Sequence, residues 1–405
     1  MLKLFNTMSR QKEEFEPLGD VVGIYTCGPS VYQYAHIGNF RTFIFEDVLV
    51  RYLRLKGYKV KRVMNLTDIE DKAIATASKE GKTLAELTEY YSKIFFEDMV
   101  KLNLLPADVF PRATEHVPEI IEIIKKMMAN GYTYMGNDGS VYYRVSKFKD
   151  WGKLSHLKLK QGKRKIKRDE WGEDSAILSD FALWKSYEKE DGDVFWETEL
   201  GKGRPGWHIE CSAMCTKHLG TRFDIHVGGV DNIYPHHETV IAQNFGASGE
   251  NPSKYWLHTR HLMIDGKKMS KSAGNYYTLR DLEGKGYEPM AIKYLLLSKS
   301  YRRRLNFTFE GIGEAGEKLE KIHSTIKRLK TANGIDNGEK IAMNSLKRFE
   351  KIMDDNLDTG RALKVMEKLS DAVSGMEPDK RSGEKIIETF RTMDSIFGLN
   401  LFKPF

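Results

Sequence analysis

Cys27, Cys211 and His236 have side chains of the types that hold transition metals. Cys27 ends a short apolar segment, Cys211 lies at the start of a predicted helix, and His236 begins another helix after Pro235. Thiolate sulfur and imidazole nitrogen are ligands that zinc prefers, and three of them with an open position are typical of catalytic zinc sites. Taken singly, each is better explained as a small buried residue or a helix cap. Gathered at one edge of a sheet, the three residues are of the types that bind zinc.

Two other segments have the residue types of a phosphate-binding site. In His36-Ile37-Gly38-Asn39, the glycine lets the main chain approach a phosphate, and the helix that follows offers free N–H groups at its start. In the second half of the chain, Lys268-Met269-Ser270-Lys271-Ser272 lies in a glycine-flanked loop, and its two lysines can bracket a triphosphate. Alone, the first segment fits a plain capping role and the second a solvated loop.

The elements around His36 predict a nucleotide-binding crevice. Residues 21–27 and 58–66 have the apolar, β-branched pattern of buried strands, and apolar residues recur at helical spacing over 39–55. A strand, helix and strand in this order predict parallel strands, with nucleotides bound at their carboxyl ends. We therefore predict an α/β fold with a doubly wound, Rossmann-like parallel sheet that contains an insertion and is followed by an all-α helix bundle.

The rest of the chain continues these patterns. Helices are predicted over 69–79, 84–104, 117–130, 207–219 and 236–245, strands over 223–227 and 256–263, and a hairpin over 132–145, with only helices beyond 290. The predicted regions are the first half of the sheet domain at 1–130, a connective insertion at 131–204, the second half of the sheet domain at 205–275, a connecting region at 276–310 and a helix bundle at 311–405.

Composition indicates a soluble protein with a polyanionic partner. The 405 residues have a formal net charge of +7, and basic residues cluster over 158–168 and 301–304, although solvated loops can hold such clusters too. No apolar run is long enough to span a membrane, and the beginning of the sequence lacks a targeting pattern. Three cysteines are too few for a disulfide framework, so we expect a reducing cytoplasm.

The two phosphate-binding segments resemble the HIGH and KMSKS signatures of class I aminoacyl-tRNA synthetases. The second matches letter for letter, and the first has Asn39 in the last place. The surroundings of the cysteines, including Gly206-Trp207-His208-Ile209-Glu210-Cys211 and Pro235-His236-His237-Glu238, resemble the cysteinyl-tRNA synthetase branch of that class. This resemblance extends from Leu4 to about Arg304.

The resemblance implies that the chain activates L-cysteine with ATP and Mg²⁺ to cysteinyl-AMP and transfers it to the 3′ end of tRNA(Cys). One Zn²⁺ per chain, on Cys27, Cys211 and His236, would bind the thiolate of the substrate, and a monomer is expected. The implied catalytic residues are His36, Lys268 and Lys271. ATP binding would add Gly38, Asn39 and Ser270, and cysteine binding would use Cys27, Gly28, Thr67, Trp207, His226 and Asp231.

The sequence departs from that family at two places. Val240 stands where the family usually has a glutamate ligand, four residues after the histidine, which leaves Glu238, Cys215 or water as candidates for the fourth position. Many family members also continue into a further small domain, which we expect to be missing after Phe405. The alternatives are a cysteine ligase of the mycothiol type, which joins cysteine to an amino sugar, and a catalytically idle tRNA-binding paralogue.

Overall fold

The computed structural model describes residues 1–156, 180–206, 208–270 and 274–403. In chain order its elements are β1 Lys3–Asn6, β2 Gln11–Glu14, β3 Val21–Thr26, α1 Ile37–Leu55, β4 Lys59–Met64, α2 Asp71–Glu80, α3 Leu84–Lys101, α4 Val117–Ala129, β5 Thr133–Met135, β6 Val141–Tyr143, β7 Phe181–Ser186, β8 Trp196–Thr198, β9 Gly201–Pro205, α5 Ile209–Leu219, β10 Phe223–Gly229, α6 Glu238–Ser248, β11 Ser253–Thr259, β12 Leu262–Ile264, β13 Lys267–Lys268, α7 Leu279–Glu283, α8 Pro289–Leu297, β14 Leu305–Phe307, α9 Phe309–Leu329, α10 Glu339–Asp354, α11 Thr359–Val373 and α12 Lys380–Phe397.

A four-stranded parallel sheet in the order β11-β10-β3-β4 forms the centre of the fold. The strand β3 lies inside it, with Ile24 paired to Arg62 of β4 on one side and to Ile225 of β10 on the other. The parallel sheet confirms the predicted α/β class. Because parallel strands end at the same edge, the segments that follow β3 and β10 lie side by side.

The two faces of the sheet pack against different apolar clusters. Ile24 of β3 belongs to the cluster on the α1 side, together with Phe40 and Val48, and this cluster continues into α9–α12. Tyr25, the next residue, belongs to the cluster on the opposite face, with Ile120 of α4. Successive side chains of a strand point to opposite faces, so one strand serves both clusters.

Residues of the predicted insertion form a separate antiparallel sheet of five strands, in the order β5-β6-β7-β9-β8. The predicted hairpin over 132–145 is present as β5 and β6, with Thr133 paired to Tyr143. Asp71 of α2 joins this sheet to the parallel one, since its carboxylate accepts from Lys185 of β7 and from Arg204 of β9. Burial alone would raise the pKa of Asp71, but these two cations lower this pKa to about 2.

The C-terminal region differs from its prediction at one place. The strand β14 interrupts the predicted run of helices and pairs in parallel with β12, which in turn pairs with β13. A single strand was predicted over 256–263, but the structure has two strands there, β11 and β12. The Arg41 guanidinium donates hydrogen bonds to the carbonyls of Arg260 and His261, which connect the two strands. The helices α9–α12 then form the predicted bundle. Among the described helices, none combines the length and apolar character needed to cross a bilayer.

Candidate active site and metal centre

The structure brings the three predicted metal ligands together. The ligand atoms of Cys27, Cys211 and His236 all lie within 4.8 Å of one another, and Cys27 Sγ is 3.5 Å from His236 Nε2. Both cysteines are buried and His236 is half-buried. This arrangement of two sulfurs and one nitrogen fits the donor set of a zinc site with a vacant coordination position.

Three different chain segments position these ligands. Cys27 directly follows β3, and its N–H donates to Val227 O of β10, which keeps it on the carboxyl edge of the sheet. Cys211 lies in the first turn of α5. A short π-helical segment, Ile233–His237, directs both His236 and His237 at Cys27, whose sulfur is 3.1 Å from His237 Nε2.

A second group of possible metal ligands shares Cys27. It contains His226 and His237, both fully buried, with His226 Nε2 at 3.5 Å from Cys27 Sγ. The His226 ring is stacked on Trp256 at a centroid distance of 4.6 Å. The position of His226 near the carboxyl end of a strand is a signal that the sequence contains. No pattern in the sequence assigns a role to His237 or to His258, which lies near the same edge on β11.

The titration properties of Cys211, His226 and His237 suit metal binding. Hydrogen bonding to Cys27 and the neighbouring His236 lower the pKa of Cys211 well below the usual thiol value, whereas the same bond raises the pKa of Cys27. Burial lowers the pKa of His226 and of His237 well below the usual histidine value. Neutral imidazoles and a thiol that readily ionises are the forms that bind a metal.

The candidates for a fourth protein ligand are engaged elsewhere. Both carboxylate oxygens of Glu238 accept backbone N–H groups, from Gly152 at 2.7 Å and from Ser155 at 2.9 Å. The Cys215 thiol donates to Ser212 O, and burial raises the pKa of Cys215. Val240 is fully buried in the apolar cluster. Among the described residues, none of these three side chains joins Cys27, Cys211 and His236 in a group of metal ligands.

The nucleotide segment lies at the N-terminus of α1. His36 is the N-cap residue: its Nδ1 accepts from the N–H of Asn39, and the Asn39 side chain accepts from the N–H of His36. Asn39 thus has a capping role. A Cβ on Gly38 would lie 2.9 Å from the His36 ring and 2.9 Å from Met269 Cε. The two signature segments, far apart in sequence, are therefore in contact.

The KMSKS segment is only partly described. Lys268 lies on the exposed strand β13, and Ser270 N–H donates to Asn275 Oδ1 while Asn275 Nδ2 donates to Lys268 O. Asn275 therefore holds the described part of the loop in shape. Lys271 lies outside the described residues.

The expected cysteine-binding residues are placed at different distances from the metal cluster. Gly28 is next to Cys27 and cannot carry a side chain, because a Cβ would lie 1.8 Å from Asn65 O. The Asn65 side chain joins Gly28 N–H to the Thr67 hydroxyl. Asp231 is exposed and paired with His261 at 2.5 Å, outside the buried cluster. Trp207 lies outside the described residues.

Comparisons with known proteins show the family of the chain. The family profile described as "tRNA synthetases class I (C) catalytic domain" matches residues 14–317. The cysteine–tRNA ligase of Chlamydia caviae is 51% identical over 333 residues, covering 82% of this chain and 70% of that protein. The enzyme of the same name from Chlamydia muridarum is 43% identical over 418 residues, covering 98% and 88%.

Solved structures agree at the level of fold. Methionyl-tRNA synthetase of Mycobacterium tuberculosis in complex with methionyl-adenylate has a TM-score of 0.68 at 15% identity and covers 93% of this chain and 90% of its own. The sequence resemblance rests on relatives that are far more similar than this. This chain therefore belongs to the cysteine–tRNA ligase family of class I aminoacyl-tRNA synthetases.

Proposed function

We propose that this protein activates L-cysteine with ATP and transfers it to tRNA(Cys), selecting cysteine through a metal held by Cys27, Cys211 and His236. The observation that supports this most is the convergence of these ligands on the sheet edge from which α1 begins. Amino-acid selection and phosphate binding would then take place in one crevice, as the joining of a carboxylate to a phosphate requires.

Activation joins the cysteine carboxylate to the α-phosphorus of ATP, and pyrophosphate leaves. The N-terminus of α1 would attract phosphate oxygens through the positive end of its dipole and the His36 imidazole, and Lys268 would neutralise the charge that develops on the leaving pyrophosphate. Lys271 would share that role. In the second step a ribose hydroxyl of the terminal adenosine attacks the activated carbonyl, and AMP leaves.

Selection against serine is the difficult part of the reaction, because serine and cysteine have nearly the same shape. A bound zinc ion would supply a Lewis acid that prefers a thiolate to a neutral hydroxyl. This chain supplies the three ligands, and the main chain of Gly28 and the buried imidazole of His226 lie beside them. Specificity would then follow from coordination, and no editing step would be needed.

A tRNA partner is supported by exposed basic residues beside the crevice. Arg303 and Arg304 lie on the turn that precedes β14, and Arg41 of α1 holds this turn through the carbonyls of Ser300 and Arg303. Such a cluster suits a phosphate backbone. The basic run over 158–168 lies outside the described residues. Monomeric state, a cytoplasmic location and Mg²⁺ as the ATP counter-ion belong to the same proposal.

The test is cysteine-dependent exchange of pyrophosphate into ATP, measured on zinc-loaded and chelator-dialysed protein with cysteine and with serine. We expect exchange with cysteine only, and only in the loaded protein. Transfer of the product to tRNA(Cys) is then compared with transfer to an amino sugar. Absence of exchange would leave the idle tRNA-binding paralogue, and transfer to the sugar alone would select the mycothiol-type ligase.

A further inference from the structure

A line of hydrogen bonds leads from the N-terminal hairpin to the metal cluster. Thr7 Oγ1 is 2.7 Å from His258 Nδ1, His258 Nε2 is 2.8 Å from His237 Nδ1, and His237 Nε2 is 3.1 Å from Cys27 Sγ. Both histidines are buried, at 0% exposure for His237 and 5% for His258. Neither Thr7 nor His258 belongs to any group of metal ligands among the described residues.

We propose that Thr7, His258 and His237 form a relay of hydrogen bonds that orients the Cys27 sulfur for the metal. The proposal rests on the proposed function, because it assumes that Cys27 is a zinc ligand. The three relay members are positioning residues: they act on the metal through Cys27.

A metal-bound thiolate fixes the position of every proton in the relay. The sulfur of Cys27 can only accept, so His237 carries its proton on Nε2 and accepts at Nδ1. His258 must then donate from Nε2 and accept at Nδ1, which leaves the Thr7 hydroxyl as the donor at the far end. Each imidazole holds one proton and is neutral. Every donor therefore points toward the sulfur, and the bonds reinforce one another.

The hairpin holds the far end of the relay in place. Thr7 N–H donates to Trp256 O at 2.8 Å, and the side chain of Asn6 accepts from Trp256 N–H at 3.1 Å. The β1–β2 hairpin is thereby attached to the strand that carries His258. Hydrogen bonds to the groups around a metal orient the ligands and tune their affinity, and their loss typically weakens metal binding by roughly 10–100-fold.

Thr7 allows a test that leaves the metal ligands unchanged. Thr7→Val keeps the shape of the side chain and removes the donor, Thr7→Ser keeps the donor, and Thr325→Val removes a buried hydroxyl from the helix bundle as a matched control. For each full-length variant we would measure the zinc Kd by competition with a chelator and the thiolate-to-metal absorption band of the cobalt form. Thermal unfolding checks that the variants fold.

We expect Thr7→Val to raise the zinc Kd roughly 10-fold and to shift the thiolate band, while Thr7→Ser and Thr325→Val leave both unchanged. Equal values for Thr7→Val and Thr7→Ser, in a protein that otherwise binds zinc and shows the band, would overturn the relay and leave the zinc site standing. Absence of the band in the unaltered protein would instead overturn the zinc site, and the relay with it.

Discussion

Side chains form the metal end of the crevice, whereas its nucleotide end is formed mainly by the main chain and an exposed lysine. The metal end takes Cys27, Cys211 and His236 from three separate segments and buries both sulfurs. At the nucleotide end, the first turn of α1, which contains Gly38, presents the positive end of the helix dipole, and Lys268 is exposed on a two-residue strand. Amino-acid selection needs donors fixed before the substrate arrives, and the phosphate side must admit ATP and release pyrophosphate.

The largest loss of activity should come from removing a sulfur ligand at the metal end. We expect Cys211→Ser to lower kcat/KM for cysteine-dependent pyrophosphate exchange by roughly 10³-fold, because a neutral hydroxyl is a poor zinc ligand. The matched variant is Cys215→Ser, which changes another buried cysteine of α5 outside the cluster and should leave zinc content unchanged. Metal analysis and exchange kinetics are the measurements. Equal loss of zinc in both variants would contradict the ligand assignment.

At the nucleotide end, the next largest effect should come from Lys268. Lys268→Ala is expected to lower the exchange rate by roughly 10²-fold, because a positioned charge on the phosphates acts mainly in the transition state. Lys267→Ala is the control, since Lys267 is its exposed neighbour on β13 and points to the other face of the strand. Zinc content should be the same in both. A loss of zinc in Lys268→Ala would mean that the nucleotide end of the crevice also determines metal binding.

Restoring a carboxylate at the metal end should sharpen the comparison. Val240 is fully buried. In metal-free protein, Val240→Glu should therefore lower the free energy of unfolding by about 3 kcal/mol, because it places an unpaired charge in the core. With zinc present, we expect the carboxylate to become a fourth ligand and the zinc Kd to fall roughly 10-fold. Val240→Gln has the same size without the charge and should gain no affinity. Chelator competition and thermal unfolding, each with and without zinc, separate these outcomes.

The sequence predicted the strands and helices that depend on local residue patterns. Apolar periodicity gave β3, α1 and β4 to within a few residues, and the strand–helix–strand order gave the parallel sheet. The strand β14 was missed because its three residues are too short for a pattern and depend on pairing with the distant β12. Such pairing is set by tertiary contacts.

The candidate site shows the same limit. The resemblance to the family implies Cys27, Cys211 and His236 as metal ligands, and the structure brings them together. The sequence does not show that the Glu238 carboxylate accepts hydrogen bonds from Gly152 and Ser155, because these bonds join distant parts of the chain. The contact between the two signature segments, at Gly38 and Met269, likewise depends on the fold.

The smallest expected effect tests this last contact. In Gly38→Ala the new Cβ would meet the His36 ring and Met269 Cε at 2.9 Å, so the loop or the cap must shift. We expect the KM for ATP to rise roughly fivefold, equivalent to about 1 kcal/mol, with the zinc Kd unchanged. Gly313→Ala is the control, since nothing lies within 4 Å of the added carbon in α9. There the change should raise thermal stability slightly, because alanine favours a helix. If Gly38→Ala altered zinc affinity as much as the KM for ATP, the metal and nucleotide ends would be a single coupled unit, and the separate construction of the two ends would have no functional meaning.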